Sequence, residues 1–417
     1  MVWLVLTVLV VCAAFVIGID SHRDDTPPMQ VTSPKPISAT PAKTKSATAR
    51  PVDLSVSPLI RVNVTPGGSD SLNLEIRGPY SIRLVGASKE LSQGADLKSV
   101  KVQSTANGLK LGNSTYKSTR LEIIPKQSPG VVINEHLYRG TMRLFRRTDG
   151  QVSAVNVLPL EEYLASVVDS EMPAAFPESA RQAQAIVSRT YALYQMAHVE
   201  PAAVFDLYSS QRSQKYLGVE YTDGGRRLAG ESESSRKAVG ETRGVVCAHR
   251  GQLFSTYYSA TCGGQTTTGT EIFPDAASVI KSVPCEWCRD SQYYRWTAQV
   301  TRREFLKKTQ SLGSLSALTS VKQTAGPGGG VVSRFRLSDG KKSVDATGVQ
   351  LRDQLTLRSP HFSLTVQKDQ VQADGRGHGH GVGLCQWGAR GQALAGKTAH
   401  EIVRHYYPGA ELVVVNY

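Results

Sequence analysis

The chain contains no dense run of lysine and arginine interleaved with aromatics. Its formal net charge of +13 therefore points away from nucleic acid and toward other polyanions, such as anionic lipid or acidic cell-wall polymers. Aromatic residues make up only 7% of the sequence. Strands do not alternate with helices in βαβ fashion and no internal repeat is present, which argues against a doubly wound parallel sheet and against a solenoid. Cysteine is scarce, with six residues in 417, so the chain is not a disulfide-dense scaffold. No lysine or arginine precedes the apolar N-terminal segment, which is unusual for a secretory signal.

That segment, "MVWLVLTVLVVCAAFVIGI", is uncharged over residues 1–19, near the minimum length of a membrane-spanning helix. It is expected to be a signal anchor, with a cleaved signal peptide as the alternative. Residues 20–58 are rich in Pro, Ser, Thr, Ala and Lys and cannot bury enough apolar surface to order themselves, so a disordered linker is expected. The body would then be extracytoplasmic, in the cell envelope, membrane-anchored or secreted.

From 59 to about 137, short alternating runs such as "LIRVNV", "LNLEI" and "YSIRLV" predict a β-rich region, and Asp149-Gly150 suggests a hairpin farther on. Helical periodicity begins at "LEEYLASVV" and is clearest after Pro177, where Ala183, Ile186, Val187, Thr190, Tyr191 and Tyr194 follow helical spacing. Strand signals return at "GVVCAHRGQLFSTYYSAT", "TAQVTR" and "SRFRLS", and the last 30 or so residues read as two short helices. The fold class is α+β: mixed short strands and a few helices around a cleft.

"GQALAGKT", Gly391 to Thr398, matches a P-loop pattern but follows helix-like sequence, with no sheet able to form after it. Gly396 reads better as a helix C-cap, and Thr398 with Glu401 as a capping box. "GRGHGHGVGLCQWGARG" is more specific. Its glycines allow backbone to approach a ligand or another segment. His378, His380, Gln386 and Trp387 make it a candidate site wall, with Trp387 as a sugar-stacking surface; the bland alternative is a tight loop whose histidines bond backbone. "YYSATCGGQTT" has the same character, with Ser259, Thr261, Gly263, Gly264, Gln265 and Thr266 as candidate cleft lining or as an ordinary turn. Cys262, Cys285, Cys288 and Cys385 each stand beside a turn-like or Gly-rich stretch. The C-x-x-C spacing of Cys285 and Cys288 suits a tetrahedral zinc, with Cys385 as fourth ligand and His380 as its substitute. Disulfides are the alternative outside the cytoplasm. A nucleophilic Cys262 has no evident helix start or histidine partner beside it. Glu171, between Ser170 and Met172-Pro173, is expected in a loop ahead of the helix after Pro177. Taken alone it reads as a solvated or capping carboxylate.

"LPLEEYLASVVDSEMPAAFPESARQAQAIVSRTYAL", "SATCGGQT", "VPCEWCRDSQYYRW", "GRGHGHGVGLCQWGARGQA" and "IVRHYYPGAEL" occur in an order that resembles the SpoIID/LytB family. The resemblance covers roughly 138–417. It implies a secreted or tethered peptidoglycan enzyme of lytic-transglycosylase type, or in some members a modifier of a cell-wall amidase. It places the catalytic acid at Glu171; on the following helix, Gln184 and Arg189 are candidates for orienting the loop or the glycan, and Tyr191 is a candidate stacking group that also fits the core face. One carboxylate suffices when the sugar's own C6 hydroxyl attacks, because the same group can act as acid and then base. Some family members carry His where Tyr258 stands and use it toward metal. The departure here implies a metal bound mainly by cysteine and structural in role.

Overall fold

The computed structural model describes residues 57–274, 276–326 and 328–417. The anchor expected over 1–19, and all of the expected linker but residues 57 and 58, lie outside the described residues. Among the described residues, no helix is long and apolar enough to cross a membrane.

Two sheets carry the first half. One has seven strands in the order Leu207–Tyr208, Leu59–Asn63, Val152–Pro159, Thr141–Arg146, Arg120–Pro125, Tyr80–Leu84, Glu90–Gly94. The other has eight and centres on Val131–Ile133, Ser71–Ile76 and Leu97–Thr105. Alternation sets the inward face: Leu72, Leu74 and Ile76 are buried while Asn73 is exposed. Val152–Pro159 is buried along nearly its whole length, which is why "VSAVNVLP" is a mainly apolar run instead of an alternating one. Asn156 within it is fully buried and satisfied: its amide donates to the Arg139 and Thr141 carbonyls at 2.8 and 3.1 Å and its oxygen accepts from the Tyr216 hydroxyl at 2.7 Å. The hairpin at Asp149-Gly150 forms, with Gly150 at φ +83°. The structure makes no break near 137/138. The strand His136–Tyr138 spans that position, and later strands join both sheets: Thr141–Arg146, Val152–Pro159 and Leu207–Tyr208 the seven-stranded one, Glu220–Asp223 and Arg226–Ala229 the eight-stranded one.

Helix α1 (Leu160–Glu171) continues directly from Val152–Pro159, and α2 (Glu178–His198) and α3 (Glu233–Glu241) pack against it. In α2, Ala183, Ile186, Val187 and Thr190 are buried as their spacing requires, while Tyr191 and Tyr194 lie half-buried at its edge.

Residues 295–376 form a lobe that the sequence reading did not separate. Strands Arg295–Thr301, Gln370–Arg376 and Phe362–Val366 make one small sheet, and Ser320–Ala325, Arg334–Ser338 and Ser343–Thr347 another. With α4 (Arg302–Thr309) and α5 (Gly348–Leu355) they enclose a core of their own around Trp296, Phe305, Phe335, Leu351 and Phe362. The lobe is inserted between the "CEWC" and "GRGHGHG" motifs.

The chain closes with α6 (Gln386–Leu394) and α7 (Ala399–Tyr406), both against α2. The P-loop-like stretch is the end of α6, Gly396 at φ +82°, and the Thr398–Glu401 capping box of α7.

Candidate functional site

Glu171 is the last residue of α1, a correction to the expectation of a loop carboxylate. The periodicity of "LEEYLASVV" runs on through Asp169 and Ser170, and Pro173 ends it by forcing the residue before it out of the helical region. Met172 takes φ −129°, ψ 130° and is fully buried. Buried Arg181 of α2 clamps the turn, donating to the Met172 carbonyl at 3.0 Å and pairing with Asp169, whose carboxylate also accepts from Ser232 at 2.9 Å. Phe176 meets the Trp387 ring edge-on with centroids 5.5 Å apart, which fastens the other end of the turn to α6.

The Glu171 carboxyl is half-buried. One oxygen accepts the Lys215 backbone N–H at 3.0 Å, and the other lies 3.4 Å from the Gln386 amide nitrogen. The Tyr258 hydroxyl hydrogen-bonds the same carboxyl and accepts from Gln214 at 3.2 Å, while Gln214 accepts from Tyr163 at 3.1 Å. Gln386 also reaches the Gln184 oxygen at 3.4 Å, and Gln184 donates to Ser188 at 2.9 Å. Burial pushes the Glu171 pKa above the ordinary carboxylate value. The Lys215 N–H, Gln386 and Tyr258 pull the other way without cancelling it. The carboxyl thus holds its proton to higher pH than a solvated glutamate while remaining reachable from one side. Asp169 is committed to Arg181, and Glu162 is exposed on α1.

Of the residues expected near the site, the structure brings Gln184, Gln386 and Trp387 to the Glu171 turn. Arg189 goes elsewhere: it is fully buried, paired bidentately with Glu161 at 2.8 and 2.7 Å, and also bonded to the Val239 and Val245 carbonyls. Tyr191 packs edge-on to Tyr257 at 6.3 Å. Ser259, Thr261 and Thr266 are buried, with Thr261 bonded to Ser291 at 2.7 Å and Thr266 accepting from Val283 N–H at 2.8 Å. Gln265 donates to Ser282 at 3.0 Å, and the Gly263 carbonyl accepts from Arg295 at 2.8 Å. Gly263 and Gly264 turn the chain at φ +71° and +114°. His378 stands edge-on to Tyr293 at 4.6 Å. His380 accepts the Val382 N–H at 3.0 Å and packs on Phe273. Burial lowers its pKa to about 4, so it is neutral at physiological pH. The two histidines sit as members of a tight loop.

Lys215, Gln214 and Tyr258 were not singled out as site residues. Lys215 acts on Glu171 through its backbone N–H and, more weakly, through its charge, neither of which a local sequence pattern reveals.

The two Gly-rich motifs form one parallel bridge, Tyr258 against Leu384 and Ser259 against Cys385. Gly383 is required there: at φ +70°, a Cβ would sit 2.0 Å from the Tyr257 carbonyl oxygen. This pairing collects four buried cysteines. The Sγ atoms of Cys262, Cys285, Cys288 and Cys385 all lie within 4.8 Å of one another, and those of Cys262 and Cys288 are 3.7 Å apart. All four are free thiols, as is the separate, buried Cys247. Four sulfurs each about 2.3 Å from a central ion would be about 3.8 Å apart, against about 2.0 Å in a disulfide. The donor set thus fits one tetrahedral metal, and His380 takes no part in it. The neighbouring sulfurs, Cys262 first, direct hydrogen bonds to Cys288 and hold it far below the ordinary thiol range. Cys385 Sγ accepts the Gly388 N–H at 3.3 Å and so caps α6, which begins with Gln386. At Gly388 a Cβ would meet Tyr406 Oη at 2.0 Å and Cys285 Sγ at 2.6 Å.

A family model described as SpoIID, Stage II sporulation protein, matches residues 148–249. The stage II sporulation protein D of Bacillus subtilis (strain 168) is 30% identical over 272 residues, covering 62% of this chain and 76% of that protein. An uncharacterized protein of Brachyspira hyodysenteriae is 29% identical over 366 residues, covering 86% of this chain and 94% of its own length. The amidase enhancer of Bacillus subtilis (strain 168) is 24% identical over 301 residues, covering 60% of this chain and 40% of that protein.

Proposed function

The chain belongs to the stage II sporulation protein D family, and from that premise we propose that it is a lytic transglycosylase that cleaves peptidoglycan glycan strands between MurNAc and GlcNAc. The observation that carries the reading is the Glu171 environment: a half-buried carboxyl with a raised pKa, fixed by one backbone N–H and two side chains. In its protonated form it donates to the glycosidic oxygen as the C1–O bond breaks. As a carboxylate it then takes the proton of the C6 hydroxyl as that oxygen bonds to C1. The proton count closes on one residue, water is not consumed, and the product ends in a 1,6-anhydro ring. The Lys215 N–H and Gln386 stabilise the intermediate carboxylate. Trp387 offers a half-buried ring beside the turn for stacking against a sugar.

We assign the four-cysteine cluster to a structural zinc held by Cys262, Cys285, Cys288 and Cys385. A bound ion there would cross-link the two Gly-rich motifs. The protein's own residues transmit that order: Cys385 caps α6, and Gln386 follows it directly. Envelope location, with the segment 1–19 as anchor, belongs to the same reading.

A second reading is favoured by the likeness to an amidase enhancer: a glycan-binding modifier of a peptidoglycan amidase, without cleavage. Digestion of peptide-free glycan strands with product mass spectrometry separates the two. Anhydro-ended fragments support the transglycosylase, and intact strands together with stimulation of an amidase support the modifier.

A further inference from the structure

Charge is unevenly spread over the described residues. The lobe 295–376 holds 14 Lys and Arg against 6 Asp and Glu, so most of the chain's +13 resides in a fifth of its length. Its carboxylates are largely engaged: Asp345 with Arg336, Asp353 with Arg352, Glu304 with Lys308, and Asp374 with Thr297 and Gln372, while Asp369 is exposed beside Lys368. Unpaired cations gather at one end of the lobe. There a groove of about 590 Å³ runs along α4, lined by Arg302, Arg303, Leu306 and Lys307 together with segment 314–319, and no carboxylate lines it. Asp339 fastens that segment to the turn between Arg334–Ser338 and Ser343–Thr347. Its carboxylate accepts from the Ser316 N–H and hydroxyl at 3.0 and 2.9 Å, and from the Lys341 and Lys342 N–H groups at 2.9 and 2.7 Å. The one carboxylate of the turn is thus taken up by neutral donors. Arg303, Lys307, Lys341 and Lys342 are all exposed and make no ion pair among the described residues. Arg303 and Lys307 stand four positions apart on α4, a spacing at which like charges are unfavourable in an isolated helix. Leu306 and Leu315 lie half-buried in the same groove.

We propose that this end of the lobe docks on the anionic surface of a lipid bilayer, receiving phosphate headgroups between α4 and the Lys341–Lys342 turn. The inference rests on the envelope reading with residues 1–19 as anchor, and goes beyond it by giving the folded body a membrane contact of its own. Arg303 supplies a planar fork that matches a phosphate bidentately, and three lysines supply point charges. An anion held among them relieves their mutual repulsion. The leucines of the groove favour a lipid over a wholly hydrophilic phosphate polymer, because Leu306 and Leu315 can meet the glycerol and the first acyl carbons once the headgroup is seated. Residues 20–58 keep the body within about 130 Å of the anchor even at full extension, so the lobe meets the bilayer at high effective concentration and a modest intrinsic affinity suffices. Lys and Arg close to an anionic leaflet are attracted to it within a Debye length of its surface. Docking would fix which way the body faces over the membrane, which a tether alone does not.

The test uses the full chain reconstituted with vesicles of phosphatidylcholine alone, or of phosphatidylcholine mixed with phosphatidylglycerol. Backbone amide exchange is followed by mass spectrometry. With the anionic vesicles, exchange over 302–319 and 338–342 should slow at least about fivefold, the gain from roughly one basic side chain near an anionic surface. The slowing should fade with salt. Arg303→Glu with Lys307→Glu, or Lys341→Glu with Lys342→Glu, should abolish it at unchanged melting temperature, and the corresponding Gln variants should weaken it. Equal exchange with both kinds of vesicle overturns the proposal, as does undiminished protection in the charge-reversed variants. Stronger protection by soluble poly(glycerol phosphate) than by vesicles at equal phosphate also overturns it, by assigning the groove to a phosphate polymer. The anchor is read separately, from retention on phosphatidylcholine vesicles in high salt. Retention without protection of the lobe keeps the anchor and removes this proposal; protection without retention does the reverse.

Discussion

Glu171 experiences opposed influences, burial raising its pKa and three donors lowering it, and burial prevails. A carboxyl raised in the folded state favours folding below its unfolded pKa, and that contribution is lost as pH rises through the folded value. Glu171→Gln should therefore melt higher than wild type at about pH 8, with the gap closing toward about pH 4. Thermal melts at both ends check this, and a gap independent of pH contradicts it. In the proposed general-acid role, Glu171 must be protonated, so activity should fall as pH rises through its pKa. Tyr258→Phe removes a donor that favours the carboxylate, so the falling limb of the kcat/KM profile should move to higher pH. A merely structural tyrosine would lower activity without moving that limb. Arg189 carries a different expectation. Truncating it to Ala strands the buried Glu161 charge and should destabilise the fold by about 3–5 kcal/mol, while KM of the remaining folded protein stays unchanged. A raised KM at unchanged stability would return Arg189 to the glycan.

The helices around the site were largely legible in the sequence because their signals are local. The buried face of α2 follows the spacing of Ala183, Ile186, Val187 and Thr190, and the Thr398–Glu401 box starts α7 as read. The end of α1 is less legible: a proline after Glu171 suggests a loop, yet Pro173 restricts only the residue before it and leaves Glu171 helical. The ion pair of Arg189 is not legible in the sequence, because a buried pair and a substrate-facing arginine look alike in one dimension; its partner Glu161 lies 28 positions earlier. The lobe escaped notice because its core joins Trp296 to Phe335 and Phe362, contacts that no local periodicity encodes. Tyr258 and Lys215 reach Glu171 through the parallel bridge and an irregular loop, again by long-range pairing. Arg181 holds the α1–α2 turn from both sides, so Arg181→Ala should cost about 3–5 kcal/mol by unpairing Asp169. Chemical denaturation measures this; a loss within 0.5 kcal/mol, as at an ordinary surface site, would show that the turn does not depend on it.

On the scale of the whole molecule, the two Gly-rich motifs, the cysteine cluster and α6 form one connected support for the acid. Purified protein should contain one zinc per chain. Its removal by chelator should lower the melting temperature, and thiol titration of the unfolded, metal-free protein should find Cys262, Cys285, Cys288 and Cys385 reduced. Disulfides among these four would refute the metal assignment. An isotope measurement decides whether Glu171, in the proposed role, passes a proton between two sugar oxygens without water. Peptide-free glycan strands are digested in ¹⁸O-water, and the new ends are weighed by mass spectrometry. Attack by the sugar's own hydroxyl leaves 1,6-anhydro ends with no ¹⁸O, and Glu171→Gln should lose nearly all cleavage, a drop of about 10² to 10⁴-fold. Reducing ends carrying ¹⁸O, or cleavage by Glu171→Gln at the wild-type rate, would contradict it.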